Sequence, residues 1–243
     1  MLLIGKTDIG LVRSSNQDNY AIHEIDQDCC FCMVCDGMGG HNGGNIASEI
    51  AVKAVREDIL SNIDATNIRN RNVETMIINA IKHANNAVFS TALKDVSLRG
   101  MGTTIVFVMI IDKKLHVAHV GDSRVYLHSA EGLLRITNDH SVVQEMIDRG
   151  DITVEEAENH PYKHIITRVL GVSSDVNIDY SNYEIKKGDN ILLVSDGLTN
   201  MIDDITLEKF LKNNTNADVC EKLVNLANEN GGQDNITVVL IKI

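Results

Sequence analysis

Aspartates stand beside glycine or asparagine at four places where an apolar run of the sequence begins or ends. The pairs are Asp36-Gly37, Gly121-Asp122, Asp196-Gly197 and Asp234-Asn235. Taken singly, such a pair predicts only a turn, because aspartate, asparagine and glycine all favour turn conformations. The runs that precede Asp36 and Asp196, residues 31–35 and 191–195, are apolar enough to be central strands of a sheet. Since central strands commonly end at functional sites, we hypothesise that these carboxylates belong to one site.

Carboxylates that converge at strand ends cannot all stay ionised unless cations lie among them. Oxygen ligands and water suit Mg²⁺ or Mn²⁺, whereas Zn²⁺ favours histidine or thiolate. Two such ions, about 4 Å apart, lower the pKa of a water molecule and clamp the oxygens of an in-line displacement at phosphorus. The pattern therefore predicts hydrolysis of a phosphate ester, with Asp36 bridging two divalent cations.

A phosphate substrate needs a cationic side chain to receive it, and Arg13 is the candidate. It lies in a polar loop, residues 13–19, which is rich in side-chain hydrogen-bonding groups. A guanidinium can bind two phosphoryl oxygens at once, which a lysine cannot do. Without the other residues, Arg13 would be read as a solvated surface charge.

The elements that must position these residues follow from the apolar patterns. Helical spacing predicts two amphipathic helices, over residues 46–59 and 76–88, each with one buried face. Short apolar runs predict the strands 2–4, 20–25, 30–36, 178–185, 191–195 and 236–243, and three antiparallel strands between residues 103 and 127. Further helices are predicted near residues 207–211 and 219–229. Because strands and helices fall in groups and no linker is visible, residues 1–243 are predicted to form one α+β domain with antiparallel sheets.

A mixed polar insert at about residues 140–171 is predicted to be a small flap. Ser141 and Gln144 are spaced as a helix-capping box, and Thr153 and Glu156 repeat the spacing. His160 and His164 lie in this segment and could approach a substrate, which the sequence does not decide.

Composition excludes some classes of partner. The 243 residues are 44% apolar, and 22 basic against 34 acidic residues give a net charge of −12. Such a charge repels nucleic acid and anionic membranes. No apolar run approaches the roughly 18 residues of a spanning helix, and no secretion signal is recognised at the start, so a cytoplasmic location is expected.

The five cysteines, an odd number, do not form a disulfide framework and agree with that expectation. Cys32 and Cys35 form a C-x-x-C pair, but residues three apart on a strand point to opposite faces. We therefore interpret them as buried thiols rather than as zinc ligands.

Taken together, the motifs identify a family. The chain resembles the metal-dependent serine/threonine phosphatases of the PP2C family (PPM type), and especially its compact bacterial members. The resemblance covers nearly the whole chain and is carried, in order, by Arg13 with Asn16-Gln17-Asp18, Asp36-Gly37-Met38-Gly39-Gly40-His41, Gly102-Thr103-Thr104, Ala118-His119-Val120-Gly121-Asp122-Ser123-Arg124, Asp139-His140-Ser141, Ile166-Thr167-Arg168-Val169-Leu170-Gly171, Ser195-Asp196-Gly197-Leu198 and Asp234-Asn235.

The resemblance implies roles for individual residues. Asp36 would bridge two Mn²⁺ or Mg²⁺ ions, the carbonyl of Gly37 would ligate one of them, and Asp196 and Asp234 would ligate the other. Arg13 would bind the substrate phosphate.

Two further aspartates receive roles in the same way. Asp18 would hydrogen-bond metal-bound water, and Asp122 would hold a third ion together with Asp196, beside the flap. The implied fold is a four-layer αββα sandwich in which two packed antiparallel sheets are flanked by helix pairs.

The proton donor is the open role. Many eukaryotic relatives have a histidine two residues after the bridging aspartate, where this chain has Met38. His41 is the catalytic candidate for that role, and a metal-bound water is the alternative.

Several residues of the motifs have simpler interpretations. Asp139 is predicted to cap a helix, Arg124 and Arg168 to pair with buried carboxylates, and His119 to be a core histidine with its hydrogen bonds satisfied.

The predicted function is hydrolysis of phosphoserine and phosphothreonine in proteins by metal-activated water, with phosphoproteins as substrates and a cognate serine/threonine kinase as the opposing partner. One alternative is a catalytically inactive member that binds phosphoproteins. Another, phosphodiesterase action on nucleic acid, is disfavoured by the net charge of −12.

Overall fold

Two antiparallel sheets pack face to face and form the centre of the computed structural model, which describes residues 1–63, 72–214 and 217–243, with only the backbone of His41 and Asn42. The strands are β1 Leu2–Asp8, β2 Asp18–Asp26, β3 Cys29–Met38, β4 Gly102–Thr103, β5 Ile105–Ile111, β6 Lys114–Val120, β7 Arg124–Ser129, β8 Gly132–Arg135, β9 Asp179–Glu184, β10 Asn190–Val194 and β11 Ile236–Lys242. One sheet has the order β1-β11-β10-β7-β8, and the other has the order β2-β3-β5-β6-β9 with the short β4 paired to the end of β3.

Strand pairing brings distant parts of the chain to one end of the sandwich. In the first sheet β1 pairs with β11 from Leu2 opposite Lys242 to Asp8 opposite Ile236. In the second sheet β2 pairs with β3 so that Asp18 lies directly opposite Asp36. The residues that follow β1, end β3 and precede β11 therefore meet.

Helices cover the outer face of each sheet. The helices are α1 Gly40–Asn62, α2 Val73–Lys94, a 3₁₀ turn Val96–Leu98, α3 Val142–Asp148, α4 Val154–Glu158, α5 Asp196–Thr199, α6 Asp204–Asn213 and α7 Val219–Glu229. The apolar faces of α1 and α2 pack on the second sheet, and those of α6 and α7 pack on the first. A third apolar layer lies between the sheets, so the predicted αββα sandwich is confirmed. Within the described ranges, none of these helices has the length and apolar character needed to cross a bilayer.

The start of α1 touches the end of β3 because two glycines allow it. A Cβ atom added to Gly37 would collide with the carbonyl oxygen of Gly44, and one added to Gly44 would lie 2.6 Å from the carbonyl oxygen of Gly37. Side chains at either position would push the helix away. The glycine-rich sequence after Asp36 thus packs a helix directly beside that carboxylate.

The third strand predicted between residues 103 and 127 forms, but in the other sheet. β5 and β6 are hairpin neighbours, whereas β7 pairs with β10 and β8. Gly121 and Asp122 therefore make a corner between sheets and not a hairpin turn. Gly121 has φ +112°, and a Cβ there would lie 2.5 Å from the side chain of Thr104. Residue preferences alone cannot distinguish such a corner from a hairpin, because both need the same backbone freedom.

Residues 140–171 carry two short helices. The side chain of Ser141 accepts a hydrogen bond from the backbone N–H of Gln144, and Thr153 forms a complete capping box with Glu156. The capping box predicted at Ser141 is only half formed, because the side chain of Gln144 bonds Asp148 instead of returning to the cap. The backbone N–H of Val142 donates to the carbonyl of Ile165, which closes the base of the segment.

The cysteines are arranged as predicted. All five are buried, and none of them forms a disulfide. Cys32 packs between the two sheets and Cys35 packs toward the helices, so the pair points to opposite faces of β3.

Candidate metal centre

The cleft at the end of the sandwich has a volume of about 710 Å³ and gathers residues from five separate parts of the chain. It is lined by Arg13, Ser14, Ser15, Gln17, Asp36, Gly37, Met38, Gly39, Gly40, Lys163, His164, Ile166, Asp196, Gly197, Asn200, Met201, Gln233, Asp234 and Asn235. Arg13 and three of the four aspartates that the sequence singled out thus face one space.

Asp36 is fixed by the backbone around it. Its N–H donates to Oγ1 of Thr104 over 3.0 Å, and its carbonyl accepts from the N–H of Thr104 and from Oγ1 of Thr103, both over 2.8 Å. These bonds hold the end of β3 against the segment that contains β4. The carboxylate can therefore reach the cleft without freedom to move away from its neighbours.

Asp18 lies beneath the cleft and is held by two hydroxyl groups. Its Oδ2 accepts hydrogen bonds from Oγ of Ser195 and Oγ1 of Thr237, each over 2.7 Å, while its Oδ1 is buried without a partner. Burial raises the pKa of Asp18 to about 7, although the two hydroxyl groups oppose that shift. We did not predict the roles of Ser195 and Thr237, since hydroxyl residues near strand ends are too common to be informative singly.

The carboxyl groups of Asp36 and Asp196 are close enough that each affects the pKa of the other. Burial, and then repulsion from Asp18 and Asp196, raises the pKa of Asp36 well above its usual value. Burial and repulsion from Asp234 also raise the pKa of Asp196. Oδ2 of Asp196 accepts from the side-chain amide of Asn200 over 3.0 Å, whereas its Oδ1 is buried without a partner. Two carboxyls this close need either a shared proton or a cation between them.

Arg13 and Asp234 form an ion pair across the cleft. Nη2 of Arg13 lies 2.7 Å from Oδ2 of Asp234, and the arginine side chain is 55% exposed. The neighbouring Asn235 holds the arginine loop: its side-chain oxygen accepts from the N–H of Gln17, and its amide donates to the carbonyls of Ile9 and Ser15. Asn235 stood inside a predicted motif, but its role in shaping the loop was not predicted from the sequence.

Asp122 stands at the corner between the sheets and does not line the cleft. It is 9% exposed, and its Oδ1 is buried without a partner. Burial, followed by repulsion from Asp196, raises the pKa of Asp122 to about 8. Its charge also raises the pKa of Asp36, so Asp122 belongs to the same electrostatic cluster.

These residues fit a centre for Mg²⁺ or Mn²⁺. Oδ1 of Asp18, Asp122 and Asp196 are three buried carboxylate oxygens without partners, and the aspartates and the carbonyl of Gly37 offer a metal only oxygen atoms. The raised pKa values report repulsion that bound cations would relieve. The residues that could hold such ions are Asp36, Gly37 through its carbonyl, Asp196, Asp234 and Asp122.

The remaining candidates divide into three groups. The backbone of His41 lies at the start of α1, but its side chain is outside the described part of the structure, so its catalytic role stays a prediction. Met38, 39% exposed, lines the cleft near it. Lys163 and His164 also line the cleft, and His160 is not among the lining residues.

The prediction that Asp139 caps a helix is wrong. Its carboxylate accepts three hydrogen bonds from the guanidinium of Arg124, the shortest over 2.7 Å, and Ser141 is the helix cap. The pairing predicted for Arg124 is confirmed by the same contact. Arg168 pairs with Asp179, a partly exposed carboxylate rather than the buried one expected. His119 is a buried histidine whose Nε2 lies 2.8 Å from the carbonyl of Asn138, as predicted.

The metal-free protein should lose stability as the pH rises from 6.5 to 8.5. The pKa of Asp122, about 8 in the folded state, lies above its ordinary 3.8, so folding retains a proton that the unfolded chain has released. The stability present at low pH is then lost as the pH rises through the folded-state pKa. Histidines such as His140, whose pKa burial lowers to about 4, act in the opposite sense only below about pH 6.5.

Urea unfolding followed by circular dichroism in the presence of chelator, at several pH values, measures this dependence. Asp122→Asn should flatten the slope, because the amide does not titrate. Saturating Mg²⁺ should remove most of the difference between the two proteins. A slope that is the same in both metal-free proteins would contradict the assignment.

The comparisons with known proteins agree with this site. The family model described as Protein phosphatase 2C matches residues 12–240. Protein phosphatase PhpP of Streptococcus pneumoniae is 39% identical over 240 residues, covering 98% of this chain and 95% of that protein. The solved structure of the S. agalactiae serine/threonine phosphatase has 35% identity and a TM-score of 0.91, covering 100% of this chain and 99% of that one.

A further solved structure is that of the catalytic domain of the serine/threonine protein phosphatase PstP in complex with two manganese ions. It has 31% identity and a TM-score of 0.85, covering 98% of this chain and 96% of that one. The family match spans nearly the whole chain, and the relatives exceed 30% identity over almost their full lengths. The chain therefore belongs to the protein phosphatase 2C family.

Proposed function

We propose that this chain is a metal-dependent protein-serine/threonine phosphatase that hydrolyses phosphoserine and phosphothreonine monoesters at a centre of two Mn²⁺ or Mg²⁺ ions. The observation that carries the proposal is the meeting of Arg13, Asp36, Asp196 and Asp234 in one cleft. An inactive phosphoprotein-binding module would have no physical reason to keep these mutually repelling carboxylates together.

Four aspartates are the proposed ligands of the ions. Asp36, the carbonyl of Gly37, Asp196 and Asp234 would hold two of these ions. Asp122 and Asp196 would hold a third ion. When bound, such ions lower the pKa of a water molecule and neutralise charge that develops on the phosphoryl group.

Arg13 binds and orients the substrate phosphate. Its side chain is 55% exposed, so the guanidinium is accessible to a ligand that enters the cleft, and Asp234 anchors one of its nitrogens. The remaining N–H groups are suited to two phosphoryl oxygens. Asn235 supports this geometry by holding the loop on which Arg13 lies.

Asp18 orients water at the centre. Hydroxyl groups of Ser195 and Thr237 occupy its Oδ2, and Oδ1 remains as an acceptor. Its loss should weaken metal binding and activity while the fold persists, because it would act through water rather than as a direct ligand.

The finer biological setting is also a proposal. Phosphorylated proteins are the substrates, and a cognate serine/threonine kinase that phosphorylates the same targets is the proposed opposing partner. The buried thiols and the net charge of −12 support a cytoplasmic location without nucleic acid or membrane as partner.

The first test is metal-dependent turnover. With Mn²⁺ the protein should hydrolyse p-nitrophenyl phosphate and a phosphothreonine peptide, and chelator should abolish both activities. Asp36→Asn should lower kcat by at least about 10²-fold, because the neutral amide cannot offset the charge of two cations.

The controls separate the alternatives. Glu57→Gln, an exposed substitution on α1, should leave the rate unchanged. Turnover that persists in chelator, or full activity in Asp36→Asn, would reject the proposal. A wild-type protein that binds the phosphopeptide with Mn²⁺ and leaves it intact would favour the inactive module.

Arg13→Ala should reduce kcat/KM for a phosphopeptide by about 10- to 100-fold, since a charge-assisted hydrogen bond contributes about 1.5–3 kcal/mol. Arg13→Lys should recover part of the loss, because it keeps the charge but not the paired donors. Arg56→Ala, an exposed arginine on α1, is the matched control. Steady-state kinetics that show no loss in Arg13→Ala would remove Arg13 from the phosphate site.

His41→Asn tests the proton donor through the leaving group. A serine alkoxide must be protonated as it leaves, whereas p-nitrophenolate is stable without a proton. If His41 is the general acid, kcat for the phosphopeptide should fall by about 10²- to 10⁴-fold, and kcat for p-nitrophenyl phosphate should change little. Equal effects on both substrates would instead assign proton donation to another group.

A further inference from the structure

A second polar cluster lies outside the cleft, where β6, β9 and the segment before α3 meet. It contains His119, His140 and Asp179, whose potential ligand atoms lie within 4.8 Å of one another. The two imidazole rings stack with centroids 4.5 Å apart and planes inclined by 24°. By composition alone this cluster could be taken for a transition-metal site.

The hydrogen bonds argue against metal binding there. The N–H of Gly121 donates to Nδ1 of His140 over 3.1 Å, so Nδ1 must carry the lone pair and Nε2 the proton of the neutral ring. Nε2 of His140 lies 3.2 Å from Oδ2 of Asp179 without the alignment of a hydrogen bond. A metal at Nε2 would require that proton to leave.

His140 instead holds Gly121 at two points. Besides the ring contact, the backbone N–H of His140 donates to the carbonyl of Gly121 over 2.9 Å. Gly121 has φ +112° and forms the corner that presents Asp122. His140 therefore binds both the N–H and the carbonyl of Gly121, the residue that precedes the proposed metal ligand Asp122.

The same corner reaches Asp36 through hydroxyl groups. Oγ1 of Thr104 accepts from the N–H of Asp36 and also forms a hydrogen bond with Oγ of Ser123, 2.7 Å away. Residues 121–123 include Asp122, and through Ser123 and Thr104 they are also linked to the backbone of Asp36. A shift of this corner would change the separation of two aspartates.

His140 also joins the corner to the segment 140–171. Its carbonyl accepts from the N–H of Thr167 over 2.8 Å, and the next residue, Arg168, donates to Oδ1 of Asp179 over 2.7 Å. Asp179 thus contacts both the ring of His140 and the end of the segment.

We propose that His140 is a positioning residue that sets the place of Asp122 through Gly121 and couples it to the segment 140–171. The inference rests on the proposed function, since it takes Asp122 as a ligand of the third ion. His140 itself does not touch metal or substrate.

Two substitutions separate the functions of the two ring nitrogens. In His140→Asn the side-chain oxygen takes approximately the place of Nδ1 and can still accept from Gly121. In His140→Gln the amide nitrogen takes approximately the place of Nε2, which keeps the contact with Asp179 and loses the acceptor. We expect His140→Gln to weaken the binding of the weakest Mn²⁺ ion by about 10- to 100-fold, and His140→Asn by less than about threefold.

Calorimetric titration of the chelator-treated protein with Mn²⁺ measures this directly, without turnover. In activity assays, kcat of His140→Gln at low Mn²⁺ should fall and recover at high Mn²⁺, with KM for the phosphopeptide unchanged. A role limited to folding would lower the thermal stability of both variants without this selective effect on one ion. His140→Gln that binds every ion as the wild type does would overturn the proposal, as would equal losses in the two variants.

Asp122→Asn in the same titration distinguishes the two proposals. It should abolish the weakest site, and if all sites remain, the metal assignment of Asp122 fails and the His140 proposal fails with it. If Asp122→Asn loses the weakest site but His140→Gln binds every ion as the wild type does, only the His140 proposal fails.

Asp179 provides the variants for the case in which His140→Gln does not fold, because its side chain is 46% exposed and tolerates change. Asp179→Ala removes the partner of both His140 and Arg168, whereas His140→Asn loses only the first of these contacts, so Asp179→Ala should weaken the same ion by at least about threefold. Asp179→Asn, which keeps an acceptor for Nε2, should bind as the wild type does. An Asp179→Ala protein with wild-type binding of all ions would overturn the proposal.

Discussion

Repulsion among carboxylates is the constraint on which the rest of this structure depends. Asp18 and Asp122 are buried and Asp36 and Asp196 are half-buried at one end of the sandwich, and desolvation and mutual charge raise the pKa of each. These carboxylates would move apart if the residues that hold them were free to move. They are not free to move, because they are held by hydrogen bonds to backbone and hydroxyl groups on strands that are themselves buried.

The aspartates of the cluster are divided between the two sheets. Asp18 and Asp36 belong to one sheet, whereas Asp196 follows a strand of the other. The hydroxyl groups of Ser195 and Thr237, which reach Asp18 from the opposite sheet, join the two across the interface. The apolar layer between the sheets fixes their separation, since a close-packed interior resists displacement. Packing far from the cleft thus determines how close the carboxylates can be.

Much of this arrangement could be predicted from the sequence, and the remainder could not for identifiable reasons. Long apolar runs before Asp36 and Asp196 predicted central strands, and helical spacing predicted α1 and α2, because these patterns reflect burial. The corner at Gly121 was not distinguished from a hairpin, because turn preferences do not report which sheet the next strand joins. Asp139 precedes a helix, so its local sequence predicts a cap, whereas its actual ion pair is with Arg124, 15 residues away in sequence. No local pattern encodes that contact.

The pairing of β1 with β11 has a consequence for the order in which the protein acquires its site. Arg13 and Asp234 are 221 residues apart in sequence, yet they form one ion pair. Contacts of such separation must overcome the entropy of closing most of the chain, so they are expected late in folding. A nascent chain that has not yet released β11 from the ribosome therefore holds Asp18, Asp36 and Asp196 without the strand that completes the cleft. Asp234 joins Arg13 and the other carboxylates of the cleft only once β11 is available to pair with β1.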